Sequence, residues 1–370
     1  MVKTASILRD LVAIPSVSSL SNVPVVNYAL NFLQGWKIER HPYTDPAGTA
    51  KLNVVARTRP GIAGLALVCH TDTVPFDPDW KEAVNPKIRG GKLYGRGSCD
   101  VKGFLACVLS AASKIDPQEL TTPLAVALTA DEEIGCVGAK FLAKKKALRA
   151  RHTIIGEPTG LAPVRAGKGY ALAEIVVRGK EAHSAFPASG RSAIGDAARV
   201  ILALERVSRK LASRRNRAFD PSYTTLNAGV IRGGSAKNIV PGECRITVEW
   251  RPIPGQDGGW AAELIREELA ALREKDAGFA AELEVKRLDP AFAPSRDDAL
   301  AGLLETLSGR RATTVAFGTE AAHLGTPGAE TVVFGPGDMT VAHKSGEFVP
   351  IDELEECVTY LDAAIRNFCA

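Results

Sequence analysis

The sequence predicts an α/β protein with a mostly parallel sheet, helices on both faces of that sheet, and a second domain inserted into the first. Three observations predict this fold. Short runs rich in β-branched residues alternate with helix-periodic segments from residue 51 to about 160. The next region has a different order of predicted elements, and the first alternation resumes near residue 312. Strands that alternate with helices are typical of parallel sheets covered on both faces.

The N-terminal segment predicts an amphipathic helix. Ile7, Leu8 and Leu11 recur at helical spacing, while Arg9 and Asp10 interrupt the apolar stretch that a signal peptide would need. No stretch of the chain is long and apolar enough to predict a transmembrane helix. We therefore expect no association with a membrane.

Four short runs predict buried strands in the first block: LNVVAR, LALVCH, LAVALT and HTIIG. Between two of them lies KGFLACVLSAASKI, in which Phe104, Val108 and Ile115 repeat at helical spacing. Near the C-terminus, ATTVAF, a helical stretch and TVVFG resume this pattern. We therefore assign residues 1–163 and 291–370 to one domain.

The segment 164–290 predicts the order β-α-β-β-α-β. The strand-like runs are ALAEIVVRG, TTLNAGVIRG, ECRITVEWR and AAELEVKRL, and the helical runs are GRSAIGDAARVILALERV and GWAAELIREELAALREK. This is the order of the split βαβ unit of ferredoxin-like domains. The sequence therefore predicts an inserted ferredoxin-like domain.

Composition argues against several classes of function. The 370 residues carry a formal net charge of +4 without a prominent basic run, so nucleic acid is not an expected partner. The seven cysteines are odd in number and include no CxxC pair, which disfavours a disulfide framework and favours a reducing cytoplasm. The loop GRGSCD does not predict a dinucleotide site, because Asp100 stands where GxGxxG requires its third glycine.

Potential metal ligands follow the ends of several predicted strands or precede a predicted helix. They are His70, Asp72, Asp100, Glu132, Glu133, Glu157 and His343. In open α/β sheets, ligands bind outside the carboxyl ends of the strands. We therefore expect these side chains to surround one crevice.

Two histidines and at least three carboxylates form a mixed nitrogen and oxygen site, which suits Zn²⁺, Co²⁺ or Mn²⁺. Asp100 is the natural bridge, because one carboxylate can span two metal ions about 3.5–4 Å apart. Asp72 is expected to accept the second ring N–H of His70, since alternate residues of a strand share a face.

Each candidate also has an ordinary structural explanation. A His-x-Asp pair at a strand end is often a satisfied polar pair, and adjacent glutamates are often solvated loop acids. Glu157 before a proline fits a turn, and an isolated His343 fits the surface. The joint occurrence at strand ends favours the metal site. Residues without that context are interpreted as structural: His41, His152, His323, Cys69 and Cys99.

Motifs spread over nearly the whole chain resemble those of the M20 metallopeptidases. They are HTD (70–72), GRGSCDVKG (95–103), ADEE (130–133), GEPT (156–159), AHSAFP (182–187), NIVPGE (238–243), RPIPG (251–255), GTEAA (318–322) and AHKSGE (342–347). Within the family, VRAGKGY, GTEA and the chain length look most like the acetylornithine deacetylases. The resemblance implies a zinc-peptidase-like catalytic domain and a lid domain, residues 164–290, that often dimerises.

The resemblance also implies a ligand set for two divalent metal ions, zinc with cobalt or manganese as substitutes. One ion would be held by His70, Asp100 and Glu157, and the other by Asp100, Glu133 and His343. A cis peptide bond after Asp100 is expected by the same similarity.

The remaining implied roles concern catalysis and substrate binding. Glu132 would be the general base, Asp72 would support His70, and His183 would stabilise the oxyanion. The positions matched to substrate binding are Lys168, Asn238, Arg251, Gly318 and Thr319. Some relatives carry arginine at the position of Lys168.

The activity implied by the resemblance is metal-dependent hydrolysis of the amide bond of an N-acyl amino acid. The first candidate substrate is N²-acetyl-L-ornithine, giving ornithine and acetate for arginine synthesis, and a homodimer formed through the lid domain is expected. Alternatives are N-acetylcitrulline deacetylase, succinyl-diaminopimelate desuccinylase, aminoacylase and glutamate carboxypeptidase. Glu320 or Asp338 could bind a cationic substrate side chain. A metal-binding scaffold without turnover is a further alternative, although no proposed ligand or base is missing.

Overall fold

The structure, a computed structural model, describes residues 4–325 and 328–370, which form two units. The larger unit comprises the described residues through Arg165, Pro294–Thr313, and the described part of Thr319–Ala370. The inserted unit comprises Ala166–Ala293 and Thr314–Gly318. Each unit has a hydrophobic core of its own.

Within the described part of the chain, the α-helices are numbered in chain order. They are α1 (Thr4–Ala13), α2 (Val23–Leu30), α3 (Lys102–Ala112), α4 (Val137–Lys144), α5 (Ala193–Leu211), α6 (Trp260–Lys275), α7 (Ala299–Ser308), α8 (Ala321–Leu324) and α9 (Ile351–Cys369). Short 3-10 turns occupy Lys81–Ala83, Pro187–Ser189 and Met339–Val341. None of the helices in residues 4–325 and 328–370 combines the length and the apolar character needed to cross a membrane.

The strands are numbered in the same way. The first nine are β1 (Lys37–Thr44), β2 (Ala50–Arg57), β3 (Ala63–His70), β4 (Lys87–Arg89), β5 (Lys92–Tyr94), β6 (Leu124–Thr129), β7 (Ala150–Gly156), β8 (Val164–Gly167) and β9 (Tyr170–Arg178). The others are β10 (Ala182–His183), β11 (Thr225–Gly233), β12 (Ile239–Val240), β13 (Glu243–Arg251), β14 (Ala280–Asp289), β15 (Thr313–Val315), β16 (Glu330–Phe334) and β17 (Phe348–Pro350).

The larger unit is built on one mixed sheet. Its strand order begins β1-β2-β6-β3-β7-β16, and the short strands β8 and β15, where the chain passes between the units, complete it. β3 pairs in parallel with β6 and β7, and β7 pairs in parallel with β16. Antiparallel pairings of β1, β2 and β8 flank these four strands. The predicted α/β fold is therefore confirmed.

The central strands are apolar on both faces. All eight residues of β3 and all six of β6 are buried, so neither face of these strands is open to water. α3 and α9 pack against each other and against β3. A strand covered on both sides carries a continuous apolar run instead of an alternating one, which is why LALVCH and LAVALT predicted β3 and β6 closely.

β1 is an edge strand that the sequence pattern did not predict. Its sequence, KIERHPYT, is exposed or half-buried at every position and pairs with β2 along its whole length. Pro42 fits an edge strand because proline has no N–H for a further neighbour. A strand that faces solvent needs no apolar run, so its composition resembles that of a loop.

The inserted unit contains a four-stranded antiparallel sheet, in the order β11-β13-β9-β14, with α5 and α6 packed against it. Along β9, buried residues alternate with half-buried ones. Apart from the two-residue strands β10 and β12, the elements follow the predicted order β-α-β-β-α-β. One face of this sheet therefore packs on the two helices, as the alternating pattern indicated.

Gly156 ends β7 directly before a predicted site residue, and its lack of a side chain leaves room for a buried ring. A Cβ at this position would lie 2.1 Å from Cδ1 of Phe104, which is fully buried. We expect Gly156→Ala to lower the free energy of unfolding by about 1–3 kcal/mol, because the overpacked core must shift. Urea denaturation measures this change.

Gly302→Ala, inside α7, is the matched control for this prediction. A Cβ there would meet nothing within 4 Å. Alanine favours a helix over glycine by about 0.8–1 kcal/mol, so this variant should be at least as stable as the wild type. Equal stability of Gly156→Ala and the wild type would contradict the proposed steric role of Phe104.

Candidate metal centre

Seven of the predicted site residues lie in the larger unit, and each is near or beyond the carboxyl end of a parallel strand (β3, β6, β7 or β16) or just before α3. They are His70, Asp72, Asp100, Glu132, Glu133, Glu157 and His343. Parallel neighbouring strands end at the same edge of the sheet. The loops that follow them therefore bring side chains from distant parts of the sequence into one crevice.

The carboxylate of Asp100 lies between two histidines. Its Oδ1 is 3.1 Å from Nε2 of His70, and its Oδ2 is 3.1 Å from Nε2 of His343. The same nitrogen of His343 is 3.2 Å from Oε2 of Glu133. Each oxygen of Asp100 thus faces a different histidine, which is the arrangement that a bridging carboxylate needs.

Burial and hydrogen bonding act in opposite directions on these groups. Burial favours the neutral form of Asp100, but its bonds to His343 and His70 outweigh this effect and lower its pKa. Burial also lowers the pKa of His70, yet the hydrogen bond to Asp100 and the nearby carboxylate of Asp72 raise it well above its usual value. Bonds to Asp100 and Glu133 raise the pKa of the half-exposed His343 to about 10.

The other carboxyl groups of the crevice have raised pKa values. Burial raises the pKa of Glu132 to about 8, and the charge of Glu133 adds to the rise while that of His70 reduces it. Burial and the charges of Asp100 and Glu132 raise the pKa of Glu157 well above its usual value. The acidic groups therefore repel one another, and additional positive charge in the crevice would stabilise their ionised forms.

Glu133 has an acceptor atom without a partner. Its Oε1 is buried and has no hydrogen-bond partner among the residues that the structure describes. A buried carboxylate oxygen in that state is costly unless a cation satisfies it. Ligand atoms of His70, Asp100 and Glu133 also lie within 4.8 Å of one another. Both the imidazole and carboxylate donors and the unsatisfied oxygen fit a divalent cation such as zinc.

Asp72 holds the segment that carries the two glutamates. Its Oδ1 accepts the main-chain N–H of Glu132 at 3.1 Å, and its Oδ2 accepts that of Glu133 at 3.3 Å and the hydroxyl of Ser18 at 2.7 Å. Nδ1 of His70 lies 3.1 Å from the main-chain carbonyl of Asp72 and 3.7 Å from its carboxylate. The carboxylate that we expected to serve His70 therefore makes its shorter contacts with the glutamate segment.

Asp131, directly before Glu132, has a left-handed backbone conformation with φ of 58°. Its Oδ1 accepts a hydrogen bond from Nζ of Lys51 at 2.7 Å, and its Oδ2 accepts one from the hydroxyl of Tyr43 at 2.7 Å. Lys51 is 1% exposed. A positive φ is unfavourable for a residue other than glycine, so these buried contacts stabilise the turn that places Glu132 in the crevice.

Glu347 holds the loop that carries Asp100. Its Oε1 accepts the main-chain N–H groups of Cys99 at 3.0 Å and of Asp100 at 3.1 Å. Its other oxygen pairs with the buried guanidinium of Arg96. The peptide bond between Asp100 and Val101 is cis, which confirms that expectation. Glu347 was not among the predicted site residues, although it ends the motif AHKSGE.

Two predicted site residues lie on a short ribbon of the inserted unit. His183 ends β10, and Asn238 directly precedes β12, with which β10 pairs. Both residues are exposed. Nδ1 of His183 accepts the main-chain N–H of Ala185 at 3.1 Å, so the neutral ring carries its proton on Nε2. His183 can thus donate a hydrogen bond from Nε2 to an anionic oxygen.

Lys168 and Arg251 also belong to the inserted unit and differ in exposure. The amine of Lys168 donates to the carbonyl of Tyr223 at 2.7 Å, and burial lowers its pKa. Arg251 ends β13, its guanidinium lies 4.8 Å from the centre of the Tyr170 ring, and its side chain is 29% exposed. Arg251 is therefore more accessible to an anionic ligand than Lys168.

The motif GTEAA crosses from the inserted unit into the larger unit. Gly318 ends the former, and Thr319, which is buried, begins the next segment of the latter. Glu320 is 1% exposed, and burial raises its pKa to about 7. Asp338 is exposed and accepts the main-chain N–H of Thr340 at 2.8 Å. The two acids considered for a cationic substrate group thus differ sharply in environment.

The residues interpreted as structural include one whose surroundings differ from expectation. Cys69 and Cys99 are buried, as expected. His152, however, lies beside Asp297 and Glu330, with ligand atoms of all three within 4.8 Å of one another. The sequence did not predict this cluster, because its three residues are far apart in the chain and none of them belongs to a recognisable motif.

Comparisons with known proteins show what this chain is similar to. A model of Peptidase family M20/M25/M40 matches residues 66–367. The acetylornithine deacetylase of Myxococcus xanthus is 46% identical over 368 residues, covering 98% of this chain and 96% of that protein. The acetylornithine deacetylase of Proteus mirabilis is 35% identical over 372 residues, covering 98% and 95%. Among solved structures, the M20 family metallo-carboxypeptidase Sso-CP2 from Sulfolobus solfataricus has a TM-score of 0.79 at 21% identity, covering 100% of this chain and 99% of that chain, which supports the fold.

Removal of the Glu347 carboxylate should lower the free energy of unfolding. Glu347→Ala leaves a buried guanidinium and two main-chain N–H groups without their acceptor. Breaking a buried ion pair in this way typically costs about 3–5 kcal/mol. Chemical denaturation of both proteins measures the difference. Glu82→Ala, which breaks the exposed pair with Arg89, is the matched control and should cost less than about 1 kcal/mol. Equal losses in the two variants would contradict the role of Glu347.

Proposed function

This chain belongs to peptidase family M20/M25/M40, and on that premise we propose that it hydrolyses the amide bond of N²-acetyl-L-ornithine, giving L-ornithine and acetate. The chain is a metal-dependent hydrolase of this family. The observation that carries the proposal is the carboxylate of Asp100 between two histidines, with the raised-pKa glutamate Glu132 in the same crevice. The choice of substrate rests on the acetylornithine deacetylases to which the chain is similar.

We assign two divalent cations to the crevice, zinc with cobalt or manganese as substitutes. His70, Asp100 and Glu157 would hold one, and Asp100, Glu133 and His343 would hold the other. The placement of Asp100 between the histidines and the unsatisfied oxygen of Glu133 support this assignment. When bound, such cations polarise a carbonyl group and lower the pKa of water.

Glu132 is assigned as the general base. Its carboxylate takes a proton from the attacking water and passes it to the nitrogen of the leaving amine. Burial raises its pKa to about 8, and the positive charge of bound cations would favour the carboxylate form that accepts the proton. The thiol of Cys136 donates to its Oε1 at 3.3 Å, and Asp72 binds its main-chain N–H, which together orient it. Glu133 is not assigned this part, because a metal ligand has lost much of its basicity.

His183 is assigned as the donor to the oxyanion. As the carbonyl carbon becomes tetrahedral, negative charge develops on its oxygen, and a positioned N–H stabilises that charge. The proton on Nε2, which follows from the bond between Nδ1 and Ala185, supports this assignment.

Recognition of the substrate is assigned to the inserted unit and to the GTEAA motif. Arg251 would bind the α-carboxylate, because a planar guanidinium offers two parallel hydrogen bonds. Asn238, Lys168, Gly318 and Thr319 would contact other polar groups of the substrate. The exposure of Arg251 supports its part more strongly than the buried amine of Lys168 supports its own.

We further assign residues 164–290 as a lid that pairs two copies of the chain. β11 lies at an edge of the sheet of the inserted unit, and all seven of its residues from 227 to 233 are exposed. Val230 and Ile231 are 43% and 53% exposed. A long exposed edge strand with apolar side chains is well suited to pairing with a second copy. A cytoplasmic location is proposed as well, supported by the odd number of cysteines and the lack of a CxxC pair in the sequence.

A substrate panel tests the proposed activity. The purified chain, supplied with zinc or cobalt, is assayed with N²-acetyl-L-ornithine, N-acetyl-L-citrulline, N-succinyl-diaminopimelate and a dipeptide. We expect the highest kcat/KM with acetylornithine. A higher value for another substrate would overturn the substrate assignment, and hydrolysis of none of them would overturn the proposed activity.

Glu132→Gln should retain its zinc while kcat falls by about 10²–10⁴, whereas Glu119→Gln, at an exposed position, should leave both the zinc content and kcat unchanged.

His183→Ala should reduce kcat by about 10²–10³ because a donor to the developing oxyanion is lost. The zinc content and the KM should change little, since this residue is neither a ligand nor a contact of the ground state. Steady-state kinetics and elemental analysis measure the two effects. His183→Asn, which retains an N–H donor, should recover part of the rate. A large loss of zinc in His183→Ala would instead identify the imidazole as a ligand.

A further inference from the structure

A second cluster of potential ligands lies at the opposite ends of two strands that lead to the metal centre. His152 is near the start of β7, and Glu330 is the first residue of β16. The two are directly paired in the parallel ladder of β7 and β16. Gly156, at the other end of β7, is four positions after His152, a distance of about 13 Å along a strand. The cluster is therefore distinct from the catalytic crevice.

The spacing of the three ligand atoms is typical of a metal site rather than of a hydrogen-bonded ion pair. Nε2 of His152 lies 3.6 Å from Oδ2 of Asp297 and 3.9 Å from Oε2 of Glu330. A charge-assisted N–H···O bond would be about 2.7–2.9 Å long. Ligand atoms around a tetrahedral ion with metal–ligand distances of about 2.0–2.2 Å are roughly 3.3–3.6 Å apart. The observed distances are closer to the second geometry.

His152 is oriented as a ligand would be. Its Nδ1 lies 3.1 Å from the main-chain carbonyl of Gly64, which can only accept, so the ring proton is on Nδ1. In the neutral ring the lone pair of Nε2 then faces the two carboxylates, and this buried nitrogen has no hydrogen-bond partner among the residues that the structure describes. The ring also lies 4.0 Å from that of Phe368, centre to centre. Metal-binding histidines commonly donate their other N–H to a main-chain carbonyl in this way.

The two carboxylates are held in place by main-chain N–H groups. Oε2 of Glu330 accepts from Leu300 at 2.7 Å, and Oε1 accepts from Ala301 at 2.8 Å. Oδ1 of Asp297 accepts from Ala299 at 3.2 Å, which leaves Oδ2 facing His152. A carboxylate oxygen has two lone pairs, so an oxygen that accepts one N–H can still bind a cation.

The surroundings leave room for solvent at such a cation. A cavity of about 80 Å³ is lined by Asp297 and Glu330, together with Arg165 and Arg296. The side chain of Asp297 is 56% exposed, so the cluster is open on one side. The two guanidinium groups oppose a cation, whereas the two carboxylates balance its charge. Three protein ligands and one water would complete a four-coordinate site.

We propose that His152, Asp297 and Glu330 bind one divalent cation of the zinc type, separate from the catalytic metal centre. The ion links Asp297, two residues before α7, to the two neighbouring strands β7 and β16 of the sheet. Its role is structural, since the site lies at the strand ends away from the catalytic groups.

Zinc stoichiometry tests this inference. The full-length holoenzyme and its variants are dialysed against zinc at one buffered free concentration, and bound zinc per chain is measured by elemental analysis. His152→Gln and Asp297→Asn should each bind one zinc per chain less than the wild type, with hydrolytic activity unchanged. His41→Gln, a partly buried histidine near Glu39 in the same unit, is the matched control and should bind as much zinc as the wild type.

Equal zinc content in the wild type and both variants would overturn the inference and leave the cluster as an imidazolium ion pair. If His152→Gln fails to fold, Asp297→Asn still decides the question, because its exposed side chain keeps the bond to Ala299. Zinc should also raise the melting temperature of the wild type more than that of Asp297→Asn. The difference in zinc content does not depend on the proposed substrate, so failure of one proposal does not imply failure of the other.

Discussion

The metal centre depends on one electrostatic constraint: several buried carboxylates must lie close together. Asp100 is stabilised as an anion by two histidines at 3.1 Å, but Glu132 and Glu157 have raised pKa values because burial and neighbouring charges disfavour their ionised forms. Such an arrangement is costly without added positive charge. The rest of the larger unit must therefore hold these groups rigidly against their mutual repulsion.

Carboxylates next to the crevice supply much of that rigidity. Glu347 binds the main-chain N–H of Asp100, and Asp72 binds those of Glu132 and Glu133. Asp131, paired with the buried Lys51, stabilises the turn before them. Main-chain N–H groups have little freedom of their own, so bonds to them fix the path of the loop instead of a single side chain. The candidate ligands are thus positioned through their backbones.

The parallel strands bring polar groups together at both of their ends. Beyond the carboxyl end of β7, Glu157 lies in the candidate metal centre, whereas His152 near the start of β7 lies in register with Glu330 of β16. Parallel pairing places corresponding residues of neighbouring strands side by side, so each end of the sheet can collect side chains from several segments. The strands of the inserted unit carry different polar groups at their ends, namely the exposed His183 and the partly buried Arg251.

The sequence by itself determined the elements whose residues are buried in a regular pattern. LAVALT predicted β6 and ECRITVEWR predicted β13 to the residue. Burial on both faces produces a continuous apolar run, and burial on one face produces an alternating pattern, and both are visible in the sequence. It also placed His70, Asp100 and His343 at strand ends or loops. Only the tertiary structure decided which acids hold the loops of that site in place and which histidine lies beside two further acids. Arg96 and Glu347 are 251 positions apart, and the contacts of Lys51 and His152 are also distant in sequence. A buried ion pair and a solvated charge look alike in a sequence, because the partner that distinguishes them is brought near only by the fold.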